Sequence, residues 1–310
     1  MGRRGTVLTV LAVAAFAGSF WLAGRFGAAP VRPLPGREPR RIVSLAPSVT
    51  ETLFALGLGE RVVGATRFCD YPPEALKVPR VGGYIDTDYE AVGRLRPDLV
   101  IGLTASEHGP VAANLAQLGL RHMAVDQGTV DGLLESIPAI GRACGAEPAA
   151  ERLVADMRAR IDAVARRTAE LPRPRVLVSF GRTMGGESLK EVYVAGGDGY
   201  YDRLISLAGG VNAYTRSAPL FPKVTAEGLA DLAPDVIVDL VPDLAEKRLS
   251  VEAVLAEWRA IQALEAVRRG RVYVLSGDYV EVPGPRFVLL LEDLARAIHP
   301  EVRWDREAAK

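Results

Sequence analysis

The sequence predicts an α/β protein of two lobes with parallel sheets, bridged by one long α-helix and leaving a ligand cleft between the lobes. Three observations predict it. The stretch Glu147 to Leu171 places Leu153, Met157, Ile161, Val164, Thr168 and Leu171 three or four residues apart, the period of one helix face. On either side of it, short apolar runs alternate with helical segments, which is the pattern of a parallel sheet covered on both faces. One piece of that pattern also recurs. Glu90-Ala-Val-Gly-Arg-Leu-Arg-Pro97-Asp98-Leu-Val-Ile matches Glu227-Gly-Leu-Ala-Asp-Leu-Ala-Pro234-Asp235-Val-Ile-Val, so the two lobes share a build. Rossmann-like lobes of this kind take ligands beyond the carboxyl ends of their strands, and the gap between two lobes is a natural site.

The elements follow in order. Residues 1–24 hold Arg3 and Arg4 and then an uncharged run, Thr6 to Gly24, rich in Val, Leu, Ala and Phe. A basic start before an apolar stretch is an export signal. At 19 residues the run lies between a typical signal core of about 7 to 15 and a membrane span of about 20, so it is either a signal peptide or an N-terminal membrane anchor. Ala15-Phe16-Ala17 offers an A-x-A cleavage site, and no cysteine follows the run to carry a lipid. Residues 25–40, with Pro30, Pro33, Pro35 and Pro39, read as an extended linker.

The N-terminal lobe, residues 41–146, opens with the apolar run Arg41-Ile-Val-Ser-Leu-Ala. Ser48-Val-Thr-Glu51 then reads as a capping box for a helix that Gly57 ends. Val62 to Thr66, Leu99 to Ile101 and His122 to Asp126 are further strands, with helices from Pro110 to Leu118 and from Asp131. The bridging helix, residues 147–171, takes Pro148 in its first turn and stops before Pro172 and Pro174. From Pro148 to Leu171 it would be about 36 Å long, long for a connection within one domain. The C-terminal lobe, residues 172–300, repeats the grammar. Its strands are Arg175 to Phe180, Val236 to Val241 and Val272 to Ser276, and its helices lie near Tyr201 to Ala208, Val251 to Trp258 and Arg286 to Ile298. Residues 301–310 are a tail.

Composition narrows the function. Lys plus Arg and Asp plus Glu are 38 each, so no net charge argues for nucleic acid. Cys69 and Cys144 have no CxxC spacing and read as separate thiols, and the three histidines, His108, His122 and His299, are too scattered for a metal centre. No metal site and no intrinsic cofactor are expected. The phosphate loop, the complete GxGxxG, the GxSxG elbow and HExxH are missing, so nothing calls for an enzyme.

At Cys69-Asp-Tyr-Pro-Pro-Glu-Ala75 and Val78-Pro-Arg-Val-Gly-Gly-Tyr84, taken with both Pro-Asp repeats, the chain resembles the helical-backbone substrate-binding proteins of ABC importers (the Fe/B12 periplasmic-binding family). Among these it looks most like the periplasmic cobalamin (vitamin B12) binders. The likeness runs on through Ser188-Leu-Lys-Glu-Val-Tyr-Val-Ala-Gly-Gly, Leu207-Ala-Gly-Gly-Val-Asn, Gly270-Arg-Val-Tyr-Val and Pro283-Gly-Pro-Arg286, and covers Arg41 to Pro300.

The resemblance implies a periplasmic, non-enzymatic monomer that captures cobalamin or a related corrinoid and delivers it to a permease dimer in the inner membrane. Haem or a ferric siderophore is the alternative ligand, and an exported enzyme using the cleft a distant one. By position in the motifs, Phe68, Tyr84, Phe221 and Tyr279 are the aromatic ligand contacts. Arg67, Arg182, Lys223, Asp278 and Arg286 lie beside them. Aromatic faces suit a broad, mostly apolar corrin ring, while tyrosine hydroxyls reach its amide fringe. Cations turned to the ligand would favour an anion such as a siderophore or the haem propionates; cations turned away would favour the uncharged corrin. Tyr84 is also a candidate haem-iron ligand. Glu90 and Glu227, one on each lobe, are implied to dock into arginine pockets of the permease. Their local alternative is capping: Thr87-Asp-Tyr-Glu90 reads as a capping box, and Glu227 falls in the first turn after Thr225.

Overall fold

A computed structural model describes residues 38–304, apart from 84–85, 105–108, 182–188 and 190. The described chain divides into two compact units. One runs up to Ala159 and takes in Val282–Arg286; the other comprises Arg160–Glu281 and the chain from Phe287 onward.

The N-terminal unit is built from β1 (Ile42–Ser44), α1 (Pro47–Ala55), β2 (Val62–Ala65), α2 (Tyr89–Arg94), β3 (Leu99–Leu103), α3 (Gly109–Gln117), β4 (His122–Val125) and α4 (Val130–Cys144). Its strands are all parallel, in the order β2-β1-β3-β4. The central strands are apolar runs because helices cover both faces: Ile42, Val43, Leu99, Val100 and Ile101 are all buried. Helix α4 starts where the Thr129 hydroxyl accepts from the Gly132 N–H, and it ends at Gly145 in the left-handed region, φ 71°. Arg61 donates to the Cys144 carbonyl at 2.8 Å, occupying a group the helix end leaves unpaired. Cys69 and Cys144 are free and buried, as the sequence reading preferred.

Two expected capping boxes do not form. Helix α1 begins at Pro47 with Ala46 at its N-cap and no side-chain cap, so Ser48 and Glu51 fall inside it, both buried. A proline is already suited to the first turn, which moves the start upstream of Ser48. Glu51 is then available for a different partner. At α2 the cap is Asp88, whose carboxylate accepts from the Ala91 N–H at 2.8 Å. Thr87 lies in a β-bridge with Gly82 and its hydroxyl donates to the Gly83 carbonyl at 3.4 Å, so the helix starts one residue later than expected.

Helix α5 (Glu147–Thr168) carries the division in its interior, since Ala159 ends one unit and Arg160 begins the other. Its buried face is Ala150, Val154, Met157, Val164 and Thr168, close to the stripe the spacing predicts. The helix stops at Thr168 rather than Leu171; the Leu171 N–H closes a turn on the Thr168 carbonyl ahead of Pro172.

The C-terminal unit continues with β5 (Arg175–Phe180), β6 (Glu191–Val194), α6 (Tyr200–Leu207), β7 (Val211–Asn212), β8 (Lys223–Thr225), α7 (Ala226–Leu232), β9 (Val236–Leu240), α8 (Val251–Arg259), α9 (Glu265–Arg268), β10 (Val272–Leu275) and α10 (Phe287–Ile298). The sheet order is β10-β9-β5-β6-β8, with β7 also beside β5. Strands β10, β9, β5 and β7 are parallel, as expected, while β6 runs antiparallel to both β5 and β8. Residues 181–190 alone join β5 to β6, a connection too short for the helical crossover that parallel neighbours need. Inside this unit the fully buried Asp239 on β9 accepts from Ser179 Oγ on β5 at 2.6 Å and from Trp258 Nε1 on α8 at 2.8 Å, so one carboxylate ties three elements together.

The repeated Pro-Asp sequence has the same job in both units. Leu95 and Leu232 are followed by left-handed residues, Arg96 (φ 45°) and Ala233 (φ 43°), immediately before the prolines, which disfavour a right-handed helical residue at that place. The next residue is the aspartate. Asp98 accepts from the Arg40 and Arg41 N–H groups ahead of β1, and Asp235 from the Arg175 N–H at the head of β5. In return the Arg41 side chain donates to the Leu95 carbonyl, and that of Arg175 to the Leu232 carbonyl. Each unit is thus pinned at the amino end of its central strand, which leaves the carboxyl ends for function.

Candidate functional site

In the N-terminal unit the chain leaving β2 turns through Thr66 and Cys69, whose Oγ1 and Sγ lie 3.1 Å apart. It is fixed there by Arg80, which donates to the Thr66 and Cys69 carbonyls at 2.9 Å. That turn carries Arg67, Phe68 and Tyr71. Phe68 is 46 % exposed, with the Arg67 guanidinium 5.3 Å from its ring centre. Arg67 Nη2 also reaches both Asp86 oxygens at 2.6 Å, and that guanidinium holds the Asp86 carboxyl below the usual range. Arg286 belongs to this unit as well. It pairs with the buried Glu51 and stacks at 3.5 Å on the ring of Tyr71. Tyr84 and Arg182, two of the predicted contacts, lie outside the described residues.

In the C-terminal unit Phe221 is partly buried and belongs to an aromatic cluster. Phe180, at the carboxyl end of β5, meets Phe221 edge-on at 4.9 Å and stacks on Tyr201 at 5.4 Å; Tyr200 and Tyr201 meet at 5.1 Å. The Tyr201 hydroxyl donates to the Val280 carbonyl at 2.9 Å, which holds the segment after β10 against the cluster. Burial drives the Tyr201 phenol well above its ordinary pKa. On that segment Asp278 is exposed, and the neighbouring Tyr279 donates to Asp293 at 2.6 Å. Burial and the Asp293 carboxylate both push the Tyr279 phenol up, so it stays protonated. Lys223 pairs with Glu191 at 2.5 Å, a contact that raises its pKa.

The two predicted docking glutamates occupy equivalent places, each two residues after the N-cap of a short helix, and both are exposed. Glu90 meets Arg94 one turn on at 3.4 Å. The Glu227 carboxyl is held below its usual range by a backbone N–H and by Thr225, whose hydroxyl also caps α7.

Sequence reasoning missed Glu51, Tyr71, Phe180 and Tyr201. Glu51 falls in a stretch that reads as a capping box, which hides its long-range partner. Tyr71 sits inside the quoted Cys69 to Ala75 motif, but its exposure is a property of the fold. Phe180 and Tyr201 could have been found as aromatics at a strand's carboxyl end and a helix start.

Residues 42–279 match the family model described as periplasmic binding protein. The chain belongs to the periplasmic binding protein family. This periplasmic binding protein is 30 % identical over 269 residues to an uncharacterized ABC transporter substrate-binding lipoprotein, YvrC, of Bacillus subtilis, covering 86 % of this chain and 82 % of that one. Among solved structures it is similar to the periplasmic vitamin B12 binding protein BtuF of Vibrio cholerae, with 26 % identity, a TM-score of 0.70, and 85 % and 98 % of the two chains covered. It is equally similar to the periplasmic heme-binding protein RhuT of Roseiflexus, with 29 % identity, a TM-score of 0.69, and 84 % and 98 % covered. Among the described residues of the periplasmic binding protein no helix is long and apolar enough to cross a membrane, and no group of His, Cys, Asp and Glu could hold a metal ion.

Proposed function

We propose that this chain is the extracytoplasmic substrate-binding protein of an ABC importer, and that it captures cobalamin or a related corrinoid and hands it to a permease dimer. It acts as a monomer and without turnover. Residues 1–24 export it to the periplasm or tether it to the inner membrane, with 25–40 as a linker to the folded chain. Relatives named for vitamin B12 binding and for ABC transport support the class of function.

One observation carries the choice of ligand. Three cations beside the predicted contact loops already have carboxylate partners: Arg67 with Asp86, Arg286 with Glu51, and Lys223 with Glu191. A site for haem propionates or an anionic siderophore needs cations whose charge the ligand completes. Here aromatic surface is offered beside neutralised pairs, which suits a large uncharged ring fringed with amides. Haem is the second reading because RhuT, a similar structure, is a heme-binding protein, and Tyr84, which lies outside the described residues, remains the candidate iron ligand for it. Phe68, Tyr84, Phe221 and Tyr279 remain the proposed aromatic contacts, with Asp278 and Arg182 at the rim, and Glu90 and Glu227 remain the proposed permease contacts.

The test is gel filtration of the purified protein mixed in turn with cyanocobalamin, hemin and a ferric siderophore, followed by the visible absorption of each. Co-elution of the corrinoid supports the proposal. Co-elution of hemin or siderophore alone rejects it in favour of the alternative.

A further inference from the structure

We infer that Tyr71 is a ligand-contact residue, its open ring face a stacking platform, and that Glu51 and Arg286 are positioning residues that hold the platform in place; this rests on the ring-binding function proposed above. Among the described residues, the large apolar side chains left exposed are Phe68, Tyr71, Leu76, Leu118, Val211 and Val251, and the first two are the aromatic ones. They sit three residues apart on the turn that follows β2, beyond the carboxyl end of its strand, where parallel sheets bind ligands. Tyr71 is 40 % exposed although one face of its ring is covered by a guanidinium at 3.5 Å. The accessible part of the ring is therefore the face and edge turned away from Arg286.

What separates Tyr71 from an ordinary surface tyrosine is the support behind it. Arg286 donates through Nε and Nη2 to the two oxygens of Glu51, and the side chains are 14 % and 4 % exposed. Glu51 projects from α1, a helix packed on the sheet. The approach of the arginine's own segment is close: a Cβ on Gly284 would come within 2.9 Å of Glu51 Oε2 and 3.4 Å of the Ser48 Cα, so a side chain there would displace the clasp. A buried ion pair that costs desolvation holds a flat cation against the ring, on a turn whose backbone Arg80 already fixes. Such rigidity stabilises nothing about an exposed ring in water, but it removes the ordering cost when a flat ligand stacks on it. Because Glu51 neutralises Arg286, the platform adds contact area without adding charge, in keeping with an uncharged ligand.

The test is calorimetric titration with cyanocobalamin of the full protein and of Tyr71→Ala, Tyr71→Phe, Arg286→Met and the double variant Tyr71→Ala/Arg286→Met. Tyr71→Ala should weaken binding about tenfold, Tyr71→Phe should restore most of the affinity, and Arg286→Met should cost about threefold. The double variant should bind no worse than Tyr71→Ala, since the arginine acts through the ring. Near-UV circular dichroism checks each fold, and should Arg286→Met fail to fold, the two Tyr71 variants decide alone. Wild-type affinity in Tyr71→Ala, or losses that add in the double variant, would overturn the inference while leaving the function intact. If the wild-type protein itself does not bind cyanocobalamin, the functional reading fails first and the inference falls with it.

Discussion

Arg286 donates two hydrogen bonds to Glu51, Nε to Oε2 at 3.0 Å and Nη2 to Oε1 at 2.6 Å, across 235 positions of sequence. The pair draws Val282–Arg286 out of the C-terminal stretch and into the N-terminal unit, where its segment lies on α1.

Breaking one half of a buried pair leaves the other charge without its partner. Glu51→Gln should therefore lower stability by about 3 kcal/mol, read from the urea midpoint of the N-terminal unit's transition. A change below about 0.5 kcal/mol would show that the pair is solvated rather than structural.

Trp258 gives its indole N–H to Asp239 at 2.8 Å in the middle of the C-terminal unit. Trp258→Phe keeps most of the ring volume and removes that donor, and should cost about 1 to 3 kcal/mol. Trp258→Phe unfolding at the wild-type urea concentration would mean that the indole nitrogen contributes nothing to the network.

The Glu281 carboxyl is raised to about 7, first by burial and then by repulsion from Asp243, with Lys247 opposing. Lys247 is itself paired with Asp243 at 2.8 Å. An unfolded glutamate loses its proton near pH 4.5, whereas this one keeps it to about 7, so the folded state binds more protons between those values. The contribution of Glu281 to stability is present below about pH 4.5 and is lost as pH rises through about 7. Urea midpoints at pH 5 and pH 7.5 should show that decline in the wild-type protein and a smaller one in Glu281→Gln; equal slopes would contradict the assignment.

Glu90 and Glu227 are exposed at matching places in two short helices. Reversing both to lysine should abolish uptake in a transport assay while cyanocobalamin affinity stays within about twofold. Loss of affinity as well would reject the docking role.

The α/β grammar was legible because buried parallel strands are written as apolar runs, and the stripe of α5 because its period is local. The Pro-Asp repeat was legible as repetition, although not its function: that Asp98 and Asp235 each hold the head of a central strand depends on chain partners 57 to 60 residues away. Strand β6 was missed as a strand, since a short antiparallel return carries no helical crossover to announce it. The capping boxes at Ser48 and Thr87 failed because a local rule met a stronger competitor, a proline at one helix start and a β-bridge at the other. Phe68 and Phe221 could be proposed from their motifs. Tyr71 could not, since what marks it is an arginine that folding brings from position 286.

The central claim, capture of an uncharged aromatic-bound ring by a protein in which three flanking cations, Arg67, Lys223 and Arg286, are already paired, is tested most directly by calorimetric titration with cyanocobalamin at low and at high salt. The account predicts saturable one-to-one binding whose affinity changes less than about threefold as ionic strength rises from about 0.05 to 0.5 M, because no ion pair forms with the ligand. No heat with cyanocobalamin, together with salt-sensitive binding of hemin, would contradict it.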